Sequence, residues 1–250
     1  MKKHIGFSRA IVTFGFLFVG TGFAQLQSDN QLTAHSLSVE HYKPGDVVPE
    51  SIVDKVGVGK FFSSSPIPNA VFRLMQGKTF KSNCTIGRSQ LRYIRCLHTD
   101  KNGRSIVGEM VVNKAIAKDV LDIFRQLYQA KYPIERMRLI DYWDADDERA
   151  MRDNNSSSFN FRFVSHTKTV SKHGNGMAID INTLYNPYHK RLKNGKEIIE
   201  PSTGKPYLNR SLQHPYMIRR GDLCYRLFKQ KGFRWGGDWK SMKDYQHFER

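Results

Sequence analysis

"SKHGNGMAID", residues 171–180, sets a histidine seven positions before an aspartate, with Gly174 and Gly176 in the gap. Met177, Ile179 and Ile181 alternate with Ala178, Asp180 and Asn182. Side chains of a strand alternate between its two faces, so the pattern predicts a strand that buries one face and turns Asp180 toward a cleft on the other. The two glycines free the backbone to turn tightly and carry His173 back toward Asp180. An imidazole and a carboxylate are both zinc ligands, but a zinc site needs a third.

Among the nine histidines, His247 has the most informative setting, "DYQHFE" at residues 244–249. Asp244 lies three residues upstream and is able to stand beside a metal without ligating it. Two histidines and one aspartate leave the fourth position of a tetrahedral zinc open, the mark of a catalytic rather than a structural site. A free carboxyl next to that position is a candidate general base.

The flanking sequence predicts an α+β chain: a small, mostly antiparallel sheet with flanking helices. Leu91–Leu97 and Ile106–Val112 read as strands joined at Asn102-Gly103, a hairpin turn signal. Val120, Ile123, Phe124 and Leu127 fall on one helical face within 116–131, and Pro133 stops that helix. Pro68 to Gln76, closed by Gly77, reads as a short helix, as do "DADDERAMRD" and Asp222 to Lys231. A strand is expected from Met137 to Tyr142 and a loop at "NNSSS".

Residues 1–24 carry Lys2, Lys3 and Arg9 ahead of an apolar run and end in Gly22-Phe23-Ala24, the pattern of a cleaved secretory signal peptide. The expected organisation is a signal at 1–24, an N-terminal extension at 25–80 packed on or beside the domain, and a main domain at 81–250. No stable membrane span is expected once the signal is removed. The expected location is outside the cytoplasm: periplasm, cell envelope or medium. The formal charge of +17 falls by three to +14 with the signal. An exported chain this basic favours anionic surroundings such as an envelope surface, and no stacked-aromatic pattern points to nucleic acid. Cys84 and Cys96 could pair in an oxidising compartment, leaving Cys224 over; without Cys-x-x-Cys spacing a thiolate metal site is not expected.

Ser171, His173, Gly176, Ala178 and Asp180 fill every fixed position of S-x-H-x-x-G-x-A-x-D. With "WGGDWKSMKDYQHFE", "SSSFNFR" and "INTLYNPY", the chain resembles the M15 metallopeptidases, the zinc D-alanyl-D-alanine carboxypeptidase family with L-alanyl-D-glutamate endopeptidase members. The resemblance runs from about Cys84 to the C-terminus. It implies the small α+β fold shared with the signalling domain of hedgehog proteins, one zinc per chain on His173, Asp180 and His247, and Asp244 as general base. It also implies that Arg162 holds substrate and steadies the oxyanion, and that Ser171 hydrogen-bonds the substrate or its own turn. The implied substrate is a peptide of bacterial cell-wall peptidoglycan, cut at D-Ala-D-Ala or at L-Ala-D-Glu. A zinc-containing module that grips wall peptides without cutting them is the alternative. Gln246 departs from the proline common in the endopeptidase relatives. Trp235 and Trp239 read as core packing or cover over the site. Glu249 reads as a partner of His247 or a solvated acid, and His166 and Lys168 as rim residues.

Overall fold

The computed structural model describes residues 1, 39–164 and 167–250; the predicted signal peptide, residues 25–38 of the extension and His166 lie outside the described residues. The helices are α1 (Glu50–Val56), α2 (Asn69–Met75), α3 (Ala117–Gln129), α4 (Asp147–Arg152) and α5 (Leu223–Gln230). The strands are β1 (Val47–Val48), β2 (Ser63–Ser65), β3 (Leu91–Thr99), β4 (Ser105–Asn113), β5 (Arg136–Met137), β6 (Asn155–Ser156), β7 (Ala178–Asp180), β8 (Tyr188–Arg191), β9 (Glu197–Glu200), β10 (Arg234–Trp235), β11 (Lys243–Asp244) and β12 (His247–Glu249). The class is α+β, with the strands in small, mostly antiparallel sheets.

The predicted hairpin forms the centre. β3 and β4 pair antiparallel from Leu91↔Asn113 to Thr99↔Ser105, and Gly103 takes a positive φ of 79° in the turn. The sheet order is β1-β4-β3-β2. Residues 39–80 therefore supply both edge strands. The extension turns helical directly after Pro49, which stands at the N-cap, where a missing N–H costs nothing. α3 lays Val120, Ile123, Phe124 and Leu127 on the sheet, and α5 adds Leu227 and Phe228 to the same core. Burying an aliphatic or aromatic side chain of this size stabilises by ~1.5–3 kcal/mol.

Three expectations fail. Of the predicted strand at 137–142 only Met137 lies in a strand, at the end of β5; Ile140–Trp143 forms a 3-10 turn. Asp141 is buried there and accepts from the backbone N–H (3.2 Å) and hydroxyl (2.7 Å) of Thr79, and a buried carboxylate follows its donors. The "NNSSS" run is not a solvated loop. Asn154, Asn155, Ser156 and Ser158 are all buried, and β6 pairs parallel with β5. The Asn155 amide exchanges bonds of 2.9 Å with the backbone of Arg138, replacing the water these groups give up. Finally, Cys84, Cys96 and Cys224 are all free thiols. Cys96 packs in the core with α3, whereas Cys84 lies against a separate cluster around Ile67, Leu91 and Phe161, so the pair does not meet.

A second sheet, β10-β12-β7, and a third, β11-β8-β9, meet at the C-terminal segment, which contributes β11 to one and β12 to the other. Among the described residues no helix is long and apolar enough to cross a membrane.

Candidate metal centre

Asp180 closes β7, and its backbone is clamped on both sides. On one side its N–H donates to Ser157 O (2.9 Å) and its carbonyl accepts from Ser157 N–H (3.0 Å); on the other it stands opposite His247 of β12. Residues directly opposite in an antiparallel pair share a face. The two side chains accordingly meet, with His247 Nδ1 3.1 Å from Asp180 Oδ1.

His173 reaches the same point from the turn before β7. The Gly174 N–H donates to Ser171 Oγ (2.9 Å), and the Gly176 N–H donates to the His173 carbonyl (2.9 Å). Gly176 has φ +63°, and a Cβ there would lie 2.7 Å from Asn113 N. A Cβ on Gly174 would lie 2.9 Å from the Arg162 carbonyl oxygen. Both glycines are thus required by close approach, and Gly176 also seats the turn on the end of β4, where its carbonyl accepts from Asn113 N–H (2.8 Å). His173 Nε2 ends 3.1 Å from Asp180 Oδ2 and 3.1 Å from His247 Nδ1.

The other nitrogen of each ring fixes its tautomer. His173 Nδ1 is 2.7 Å from the Ser158 carbonyl, which only accepts, so Nδ1 carries the hydrogen and Nε2 presents a lone pair. His247 Nε2 faces Glu249 Oε2 at 3.3 Å, which leaves Nδ1 as the lone-pair atom of the neutral ring. Two lone pairs and a carboxylate then converge with nothing but each other to face. Ligands ~2.0–2.1 Å from a tetrahedral zinc stand ~3.3 Å apart. The 3.1 Å between the two imidazole nitrogens fits that requirement, each nitrogen lies 3.1 Å from a different oxygen of Asp180, and one ligand atom from each residue lies within 4.8 Å of the others, so the donor set suits a divalent metal.

In the metal-free chain a proton takes the place of the cation. Burial alone would lower the pKa of His247, but hydrogen bonds to the Asp180 and Glu249 carboxylates overcome it and lift the value to about 10. Burial likewise works to raise Asp180, and the two imidazoles overcome it, holding that carboxyl well below the usual range.

Asp244 sits outside the triangle, on β11 opposite Tyr188. Its Oδ1 is sealed from solvent with no hydrogen-bond partner. Burial pushes its pKa up to about 6, against the opposing pull of His247, and the negative charge of Asp180 adds to the rise. Gly236 packs closely against this residue: a Cβ there would lie 2.5 Å from Asp244 O and 2.7 Å from its Cβ. The result is a carboxyl with a pKa raised to about 6 beside three side chains that could hold a metal, the condition a general base needs.

The remaining predicted residues divide. Ser171 is buried and its hydroxyl serves the turn. Arg162 is exposed; its carbonyl accepts from Ser171 N–H (2.9 Å) and its Nε pairs with Asp147 Oδ2 at 2.9 Å. Trp235 is core, whereas the Trp239 ring lies 5.4 Å from that of His247 and covers it. Glu249 is the partner of His247 and is itself held by Arg234. Gln246 is buried with its Oε1 unpaired, and its amide nitrogen faces Met151 Sδ at 3.4 Å. Sequence reasoning missed Ser158, Tyr188 and Gly236. Ser158 acts through its carbonyl, which no side-chain motif reveals, and Gly236 acts by being absent beyond Cα.

The site thus belongs to a recognisable class: a three-ligand candidate metal centre with a separate carboxyl beside it. Residues 165–250 match the model of the D-alanyl-D-alanine carboxypeptidase family, a match that supports an M15-family peptidase and hence a hydrolase of peptide bonds. The matched span contains His173, Asp180, Asp244 and His247, while Arg162 falls just before it. No solved structure matches the chain.

Proposed function

We propose that the protein is a zinc-dependent peptidase that hydrolyses stem peptides of cell-wall peptidoglycan, at D-Ala-D-Ala or at L-Ala-D-Glu. The observation that carries this reading is the convergence of His173 Nε2, His247 Nδ1 and Asp180 around one point, with Asp244 held apart from them. When bound there, zinc supplies an electrophile for the scissile carbonyl and acidifies its water to a pKa of about 7.

The chain's own groups do the rest. Asp244, with its pKa lifted to about 6, takes the proton of the attacking water and returns it to the departing amine. Arg162, pre-oriented by Asp147, binds the peptide and stabilises the charge that grows on the carbonyl oxygen. Ser158 and Glu249 hold the imidazoles in the tautomers that leave their ligating atoms bare. Trp239 excludes water from one side of His247.

Export follows from the signal-like residues 1–24, and the net positive charge suits an anionic envelope surface. The deciding experiment digests purified peptidoglycan with zinc-loaded protein and identifies the new amine and carboxyl ends by mass spectrometry. A new D-Ala carboxyl with released D-Ala, or a new D-Glu amine, assigns the bond. Tight wall binding with no new ends would favour the non-catalytic module instead.

A further inference from the structure

The β11-β8-β9 sheet carries the base Asp244 at one edge, and its register shows what else shares that face. Asp244 stands opposite Tyr188, and Tyr188 opposite Glu200, one row across three strands. The Tyr188 hydroxyl reaches Met242 Sδ at 3.5 Å, which puts Met242 on the same side. Two residues along β8, and therefore on the same face, is Lys190, opposite Ile198. A strand rises ~3.3–3.4 Å per residue, so Lys190 is one pleat repeat, ~7 Å, from the row of Asp244.

The two faces treat charge differently. On the back face, Glu197 pairs with both His189 and Arg191 at 3.1 Å, and Lys243 donates to the Gly237 carbonyl (3.1 Å). On the Asp244 face, Lys190 is half-buried and makes no ion pair among the described residues; Glu200, its diagonal neighbour, does not reach within pairing distance. A half-buried lysine opposite Ile198, its ammonium left without a carboxylate, is a receptor for one.

We propose that Lys190 is a specificity-determining residue that binds a free carboxylate of the peptide substrate, ~7 Å from the base along the same sheet face. The inference rests on Asp244 marking the reacting end of the cleft. It selects peptides whose side-chain or terminal carboxyl at that distance is ionised over the same peptides amidated there.

The test uses a synthetic stem pentapeptide and versions with each carboxyl amidated in turn. The kcat/KM ratio of acid to amide is measured for the full chain and for Lys190→Ala, Lys190→Arg and Lys190→Glu. One amidation should lower kcat/KM roughly 10–100-fold, the range of a charge-assisted hydrogen bond, mainly through KM. Lys190→Ala should bring that ratio to about one, Lys190→Arg should restore it, and Lys190→Glu should invert it. An unaltered ratio in Lys190→Ala overturns the proposal, as does an equal loss on acid and amide. Calorimetric binding of the same peptides to Asp244→Asn protein, with and without Lys190→Ala, separates this from the hydrolytic reading. An acid preference in binding that vanishes with Lys190→Ala upholds the carboxylate site even if no bond is ever cut. Absence of any acid preference in both assays ends it.

Discussion

His173 Nε2 and His247 Nδ1 face each other across 3.1 Å, each ring anchored through its other nitrogen, to the Ser158 carbonyl and to Glu249 respectively. Such a pair is stable only with a cation between the lone pairs. The expected stoichiometry is one zinc per chain after dialysis, read by elemental analysis. Less than a tenth of an equivalent, with no gain on adding zinc, would sink the assignment. His247→Ala should lose both metal and activity.

Metal uptake should depend on pH in a defined direction. The metal-free protein holds a proton on His247 with a pKa of about 10, and zinc must displace it. Apparent affinity should therefore rise roughly tenfold per pH unit between about pH 7 and 9, before levelling as the proton is lost unaided. A flat profile in competition with a chelator of known affinity would mean that His247 is not a ligand.

Asp244→Asn should keep zinc and the fold while losing ~10²–10⁴-fold in rate, the cost of removing a general base. The wild-type rate should fall on the acid side of about pH 6 or lower, because a bound cation eases ionisation of the same carboxyl. Stability of the metal-free protein gives an independent reading. A carboxyl with a raised folded-state pKa binds its proton more tightly in the fold, so its contribution is full below about pH 4 and is lost as pH rises through about 6. Metal-free Asp244→Asn should therefore outlast the wild type in urea at pH 7, with the gap closing at pH 4. Loss of zinc from Asp244→Asn would make Asp244 a ligand.

Glu249 tests the support of the site. Its carboxylate holds His247 Nε2 at 3.3 Å and is braced by Arg234. Glu249→Gln should weaken zinc binding ~10–100-fold, the usual effect of losing such a partner. Unchanged affinity in a chelator competition would show that the ring is held by β12 and Trp239 alone.

The candidate ligands were legible because their chemistry is carried by side chains in a recognisable motif, but the expected one-sided burial is not seen: Ala178 and Asn182 are buried along with Ile179 and Ile181, and Asp180 stays partly exposed where it meets His247. The β3–β4 hairpin and α3 were legible for the same reason, since Asn102-Gly103 and the Val120 to Leu127 stripe are local signals. The buried "NNSSS" run was not. Its polarity reads as solvent-facing until Ser158 Oγ is seen donating to the Ala178 carbonyl (2.6 Å) and the Asn155 amide bonding the Arg138 backbone, partners distant in sequence. The failed strand at 137–142 has the same origin: Thr79 recruits Asp141 inward from 62 residues away. Tertiary partners, not local propensity, decided these places.

Gly236 offers a test that separates base from ligands without altering either. A methyl there would come within 2.5 Å of the Asp244 carbonyl oxygen and 2.7 Å of its Cβ, both nearer than real contacts allow. β11 must shift to make room, and β11 carries Asp244 but none of the ligating side chains. Gly236→Ala should cost ~1–3 kcal/mol of stability by overpacking. Its zinc affinity should stay within about threefold of wild type, since His173 and Asp180 lie on other elements and His247 is fixed by β7. Its rate should fall ~10²-fold, as a misplacement of about 1 Å at a reacting group can cost. Zinc content, urea unfolding and wall-peptide hydrolysis measured on one preparation decide it. Full activity would place the base elsewhere, and parallel loss of zinc and rate would mean that β11 and β12 move as one piece.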